Sequence, residues 1–370
     1  MNLLNSTRMQ AAYTMGQEPS AREHVVVVVK GTFDFPERAG DLCPLAAEQE
    51  PLVMADEYWG APGFSAPRRE IDFARVKPRC DVLVNGSAHA PGGRPAQRVT
   101  VGVKIGRWSK AFDVVGDRLW QGGLVTPSPS APQPFLQKQI TYDVAFGGVD
   151  ALDPEEPSPL AYRPNPVGRG WHRQKNRGRV DGAPLPATED PADPVRVPWG
   201  DYRPLALGVF GRSWPDRLRH AGTYDQDWVD RVFPFLPADF DDRYYQAAPA
   251  DQWIEHPRGG EEVMLVNLTP DSRWRMRLPL LEVPVVFFRK RGGREERRAA
   301  LDTVLIEPDR RRLMLTWRAG MPIRRSIFDF AEILVGHMPR GWWRARELGK
   351  TYYPSLGALV RSKREEADES

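Results

Sequence analysis

At 370 residues, with 41% hydrophobic and 27% charged side chains, the chain can bury one large core or two ordinary ones and has the balance of a soluble globular protein. A net charge of +3, from 52 basic and 49 acidic residues, provides no global field directed at nucleic acid. Two cysteines in unrelated contexts, Cys43 and Cys80, rule out a disulfide framework or a cysteine zinc site.

Proline, at 36 residues roughly twice the average usage of ~5%, and 32 glycines favour many short strands joined by turns over long helices. The opening MNLLNSTRMQAAYTMGQEP lacks the charged start and apolar core of a signal peptide. No apolar run approaches the ~20 residues that span a bilayer. A cytoplasmic location with no membrane partner is therefore expected.

The first strong strand is HVVVVVKGTFDF, His24 to Phe35. Consecutive valines are stiff at χ1 and favour extended backbone, and an unbroken apolar run implies burial on both faces, so this is a central strand. Alternation resumes from Thr32 to Phe35, which predicts emergence toward an edge. KPRCDVLVNGSAHAPGG, Lys77 to Gly93, predicts a short strand and then a loop. Val99 to Trp120 predicts a hairpin or meander turning near Gly106–Ser109 and Gly116–Asp117. ITYDVAFGG follows, with Ile140, Tyr142, Val144 and Phe146 alternating against Thr141, Asp143 and Ala145, the period of a half-buried strand ended by Gly147 and Gly148.

Periodicity fails from about Val149 to Pro204, a segment too long for an ordinary connector. Trp171, Trp199 and Tyr202 are spaced through it, and rings of that size predict an ordered, draped segment. Beyond it come a short helical candidate around Asp239–Ala247 and the strands EEVMLVNL, VPVVFFRK, ALDTVLIE and RRLMLTWRA. The last two frame a Pro308–Asp309 turn in the clearest hairpin of the chain. SIFDFAEILVGH, Ser326 to His337, predicts a helix with Ser326 and Asp329 in a capping-box-like arrangement, and the tail KREEADES is expected to fray.

The expected fold is mainly β, as antiparallel sandwich-like halves with few short helices. Residues 1–148 form the first half, 149–204 the irregular Pro/Gly-rich bridge and 205–370 the second half, with one continuous domain as the alternative.

Known chemical signatures are absent. Six scattered histidines include no pair at i, i+4 and no Cys/His cluster, so no metal site is expected. GRSWP, Gly211 to Pro215, lacks the second glycine of a nucleophile elbow, Gly349–Lys350 lacks the earlier glycine of a phosphate loop, and Gly168–Gly170 lacks the βαβ setting of a dinucleotide site. No cofactor and no catalytic residues are assigned. Adjacent acids such as Asp241–Asp242 and Glu261–Glu262 fit solvated turns better than a glycosidase pair.

The basic run Gly168 to Arg179 carries Arg169, Arg173, Lys175, Arg177 and Arg179 around Trp171, with Arg169, Trp171, Arg173, Lys175 and Arg177 the candidate partner-binding residues. Guanidinium groups and a ring there suit a protein contact, a nucleic acid or plain solvation. RKRGGREERR, Arg289 to Arg298, interleaves acids and predicts a solvated hairpin tip.

Taken in order, VVVVVKGTF, KPRCDVLVNGSAHAP, SKAFDVVGDRLW, YDVAFGG and NPVGRGW resemble the bacterial domain-of-unknown-function 2169 family, and EEVMLVNLTPD with LDTVLIEPDRRRLMLTWR resembles its second half. The likeness runs from about Asn5 to Arg318. The resemblance implies an adaptor or chaperone of type VI secretion, not an enzyme, whose partners are an effector toxin and the valine–glycine-repeat spike protein (VgrG), often beside a PAAR-type tip. In that pattern a Glu-Arg pair stands where this chain has Asp143 and Val144, so a contact through that pair would differ here. Tyr142, Phe146, Gly147, Gly148, Asn165, Pro166, Gly168 and Gly170 are then the structural motif that shapes a loop layer on the sheet. The alternatives are a β-sandwich hydrolase or carbohydrate-acting enzyme, which requires a pocket with convergent titratable groups, and a nucleic-acid-binding module using Gly168–Arg179.

Overall fold

The run Val25–Val29 leaves no polar side for water, and Glu23–Asp34 is an interior strand with each of these valines at 0% exposure. It pairs antiparallel with Gln10–Gln17 on one side and with Arg312–Pro322 on the other. Burying each valine contributes ~1.5–3 kcal/mol before chain entropy is set against it. The computed structural model describes residues 1–122 and 126–368.

Three sheets account for most of the backbone pairing. A six-stranded sheet runs Trp253–Ile254, Cys80–Val84, Ala300–Glu307, Arg312–Pro322, Glu23–Asp34 and Gln10–Gln17. Its Cys80–Val84 and Ala300–Glu307 strands are parallel, and its other pairs antiparallel. An antiparallel five-stranded sheet runs Thr188–Glu189, Trp108–Val115, Arg98–Ile105, Glu262–Val266 and Arg273–Arg277. The third sheet has four strands, in the order Asn2–Asn5, Phe330–Val335, Pro284–Arg289 and Arg294–Arg298. The fold is mainly β, with mostly antiparallel sheets and few short helices. Strands from 1–148 and from 205–370 share each of the three sheets and interleave in the six-stranded one, and Val27, Val101, Leu265, Phe287 and Ile333 meet in one apolar cluster.

Several expectations hold. Arg98–Ile105 and Trp108–Val115 form the hairpin, with Gly106 at φ 56° in its turn. Ala300–Glu307 and Arg312–Pro322 form the other, where Arg311 takes a left-handed conformation after the Pro308–Arg310 turn. Arg289–Arg298 spans a hairpin tip whose second strand is largely exposed. The 149–204 segment is ordered around a second core in which Trp120, Phe146, Tyr162 and Leu185 are buried against Trp171 and Tyr202.

Other expectations are corrected. ITYDVAFGG is not one alternating strand: Gln137–Ile140 ends in a 3-10 turn at Tyr142–Val144, and only Phe146–Gly147 is extended again. Thr141 and Ala145 are buried alongside Tyr142 and Phe146, because loops cover both sides of the segment. SIFDFAEILVGH is not a helix. Ser326 does cap, accepting from Phe328 N at 3.1 Å, but it caps only the Ile327–Asp329 turn, and Phe330–Val335 is a strand captured between Pro284–Arg289 and Asn2–Asn5.

Thr32–Phe35 does not emerge at an edge. The Gln49 amide bonds both Thr32 N (2.8 Å) and Thr32 O (3.0 Å), and Asp34 N donates to Pro44 O, so a loop takes over where Gln10–Gln17 stops. The loop expected after Val84 contains a second strand, Gly86–His89, paired with Gln137–Ile140. Most of the tail expected to fray belongs to a helix, Leu356–Asp368, and residues 369–370 lie outside the described residues. No helix among the described residues is long and apolar enough to cross a membrane.

Candidate interaction surface

Asn165 organises the two glycine segments into a clasp. Its Nδ2 donates to Tyr142 O (2.9 Å) and Phe146 O (3.1 Å), while its carbonyl accepts from Gly148 N (2.9 Å). Phe146–Gly147 then runs parallel to Arg169–Gly170, with Arg169 N donating to Ala145 O and Trp171 N to Gly147 O. Gly147 (φ 146°) and Gly148 (φ 98°) have positive φ, and a Cβ on either would overlap the carbonyl oxygen of Asn165 or Gly168. The approach at Gly168 is equally close, where a Cβ would meet Asn165 Nδ2. The structure thus brings Tyr142, Phe146, Gly147, Gly148, Asn165, Gly168 and Gly170 together as backbone scaffolding. Asp143 is directed outward from the clasp and accepts from Ala66 N at 2.8 Å.

The basic run turns back on its own acids. Arg169 bonds Asp117 at 3.2 Å, Arg173 bonds Asp150 (2.6 Å) and Glu156 (3.2 Å), Lys175 bonds Glu156 at 2.9 Å, and Arg179 bonds Asp153 at 2.7 Å. Among the described residues Arg177 forms no ion pair and is exposed. Trp171 packs against Tyr162, ring centroids 5.6 Å apart. Burial by itself would raise the Asp150 carboxyl, but bonds from Arg173, Asn176 and His172 outweigh it and hold the group below the usual carboxylate range. Burial pushes His172 down despite Asp150.

Pro166 and Val167 form one wall of a cavity of about 220 Å³ whose other walls include Glu70, Arg212, Trp214 and Arg217. Tyr142 lies behind it, edge-on to Trp214 (5.0 Å) and Phe210 (5.7 Å), and burial pushes its hydroxyl up. Glu70 takes two bonds from Arg217 (2.6 and 2.8 Å) and another from Arg212, which also reaches Asp56 at 3.0 Å. Burial works against the Arg212 charge, yet Glu70 and Asp56 outweigh it and raise its pKa further. The Ser65 hydroxyl is committed to Ala61 O and Gly60 N. The recess is thus charge-matched within itself and suits a polar group or a partner side chain. Among the described residues, no group of three or more His, Cys, Asp or Glu is placed to hold a metal ion.

Beyond this cavity the chain exposes an aromatic knob. Asp225 caps the Gln226–Arg231 helix, accepting from Trp228 N at 2.9 Å, and Trp228 Nε1 donates to Phe235 O at 2.9 Å. Trp228 is thereby held between Tyr224 (4.7 Å) and Phe233 (5.6 Å). Phe233 is 65% exposed, and Tyr224, Val229 and Phe235 of the same segment are exposed as well. The segment DQDWVDRVFPF sets five apolar or aromatic side chains, besides Pro234, among three aspartates, a pattern that the elements expected from the sequence leave out.

A family model described as an uncharacterized protein conserved in bacteria (DUF2169) matches residues 20–318. The chain belongs to the DUF2169 family. The DUF2169 match takes in the clasp, the cavity and the knob, whereas the Arg340–Glu347 and Leu356–Asp368 helices lie beyond it. Searches of curated proteins and of solved structures find no match.

Proposed function

We propose that this DUF2169 protein is a cytoplasmic adaptor or chaperone of type VI secretion, which holds an effector toxin and helps seat it on the VgrG spike, beside a PAAR-type tip. It acts by shape and contact and makes or breaks no covalent bond. The secretion role follows from the resemblance carried by the motifs, and the knob supplies the physical means.

The observation that carries this reading is Phe233, held 65% exposed just past the capped Gln226–Arg231 helix. Large aromatic side chains dominate interface energetics when a partner desolvates them. An exposed apolar cluster on a soluble surface marks a contact waiting for its partner. Because Trp228 is fixed by Asp225 and Phe235, less freedom is lost on binding than in a mobile loop. The salt-bridged cavity beside the clasp offers a second, polar foothold. A stable contact of this type buries ~1,200–2,000 Å². Co-purification with the effector and spike proteins encoded by neighbouring genes tests the reading, and failure to associate at low and moderate salt removes it.

A further inference from the structure

The hairpin tip between Pro284–Arg289 and Arg294–Arg298 lies against the connection that leads into Phe330–Val335, with Lys290 N donating to Asp329 O at 2.9 Å. Between them is an open recess of about 440 Å³ lined by Arg289, Lys290, Arg291, Arg324 and Arg325, with Asp329 as its lining carboxylate. Arg289 is already engaged. It bonds Glu295 at 2.9 Å and lies 4.9 Å from the Phe330 ring. Among the described residues, Lys290, Arg291, Arg324 and Arg325 form no ion pair. Phe328 stands at the same recess, 73% exposed, with Lys290 Nζ 5.9 Å from its ring centroid.

Four cations gathered around one recess repel one another, and an anionic ligand relieves that repulsion. Guanidinium forks suit carboxylates, which they hold through paired hydrogen bonds. The recess is far larger than an inorganic anion, and its exposed ring offers an apolar contact beside the charges. The cations gather around one open recess with a single exposed ring, Phe328, whereas single-stranded nucleic acid is bound along a groove that tracks its backbone with successive stacking rings. Arg324, Arg325 and Phe328 also lie past residue 318, so this feature extends beyond the family match.

We infer that the recess is a docking site for an acidic segment of a partner protein. Lys290, Arg291, Arg324 and Arg325 take its carboxylates, and an apolar side chain of the segment packs on Phe328. The site is separate from the knob and stands whether or not the secretion role does.

The test is fluorescence anisotropy of the full chain with a labelled dodecapeptide of four Glu-Glu-Leu repeats, beside the same peptide with glutamine for glutamate. The acidic peptide binds saturably, at least tenfold more tightly than its glutamine counterpart. R324E/R325E weakens it at least tenfold with an unchanged melting temperature, since both side chains are exposed, and F328A weakens it several-fold. Equal binding of the two peptides, or no effect of R324E/R325E, overturns the inference. So does full displacement by low-millimolar inorganic phosphate, which would mark a simple anion hole. Tighter binding of a twelve-nucleotide oligothymidylate, lost in R324E/R325E, would assign the recess to nucleic acid and overturn it equally.

Discussion

Asn165 donates its side-chain amide to the carbonyl oxygen of Tyr142 at 2.9 Å, across 23 residues of chain, with both residues buried. The same amide reaches Phe146 O, so one side chain fixes the 3-10 turn and the short strand that follows it. Removing it in N165A leaves buried carbonyls short of a donor, at a cost of ~1–3 kcal/mol. N165D keeps the shape but aims a carboxylate at the same carbonyls and costs more. Urea unfolding should rank wild type above N165A above N165D. An unchanged midpoint for N165D would contradict this account of the clasp.

The clasp also ranks glycines. Gly182 (φ 77°) has open space where a Cβ would go, so G182A bears only the left-handed backbone cost of ~1–2 kcal/mol. At Gly147 the added Cβ also collides with the Asn165 backbone carbonyl, which side-chain movement cannot relieve. G147A is therefore expected to lose clearly more stability than G182A, measured by thermal unfolding. Equal losses would show that the two segments can separate without cost.

Asp150 and His172 set a pH dependence. The folded carboxyl titrates below its unfolded value of ~4, so its stabilisation is complete above that pH and is lost as pH falls through the folded pKa. His172 is also depressed, from an unfolded value of ~6.5. Below that pH the unfolded chain takes up the proton first, and stability declines until the folded pKa is passed. Chemical denaturation from pH 7.5 down to about 2 should show both losses, the His172 loss setting in below ~6.5 and the Asp150 loss below ~4. H172Q should flatten the first, and D150N should flatten the second while lowering stability at neutral pH. Parallel curves for wild type and D150N would refute the assignment.

Asp81 is at 0% exposure and accepts from Lys77 (2.7 Å), Gln246 (2.6 Å), Ala247 N (2.7 Å) and Ala248 N (3.2 Å). It ties the Cys80–Val84 strand to the segment that follows the Asp242–Tyr245 turn. D81A strands the buried Lys77 ammonium and should cost ~3–5 kcal/mol, as should K77M through the stranded carboxylate. The double variant K77M/D81A should cost less than the two losses added together. Strict additivity would mean that the pair does not interact.

What was legible in the sequence follows physical locality. Val25–Val29 and the Pro308–Asp309 hairpin carry their structure in their own residues, through χ1 stiffness and turn geometry. The Ser326 cap signal was real, but pairing with Asn2–Asn5, over 300 residues away in sequence, made Phe330–Val335 a strand. The alternation in ITYDVAFGG misleads because the donors that satisfy the Tyr142 and Val144 carbonyls lie on Asn165 and Ala187, which no local pattern exposes. The glycines of the clasp were readable as punctuation, though not their mutual contact. The basic run was visible, but Asp117, Asp150, Asp153 and Glu156, which neutralise most of it, are assembled only by folding. The knob's Trp228, Val229, Val232 and Phe233 have helical spacing, but Pro234 cuts it off after little more than one turn, too short to stand out as an element.

The proposed adaptor role requires the knob to bind the effector. Size-exclusion chromatography with light scattering, on the full chain mixed with the neighbouring-gene effector, tests it, with F233D as the paired variant. Phe233 is mostly exposed, so F233D should keep the wild-type melting temperature. The wild type should form a stable complex, and F233D should associate at least tenfold more weakly. Absence of any complex at low and moderate salt, or a complex indifferent to F233D, would contradict it.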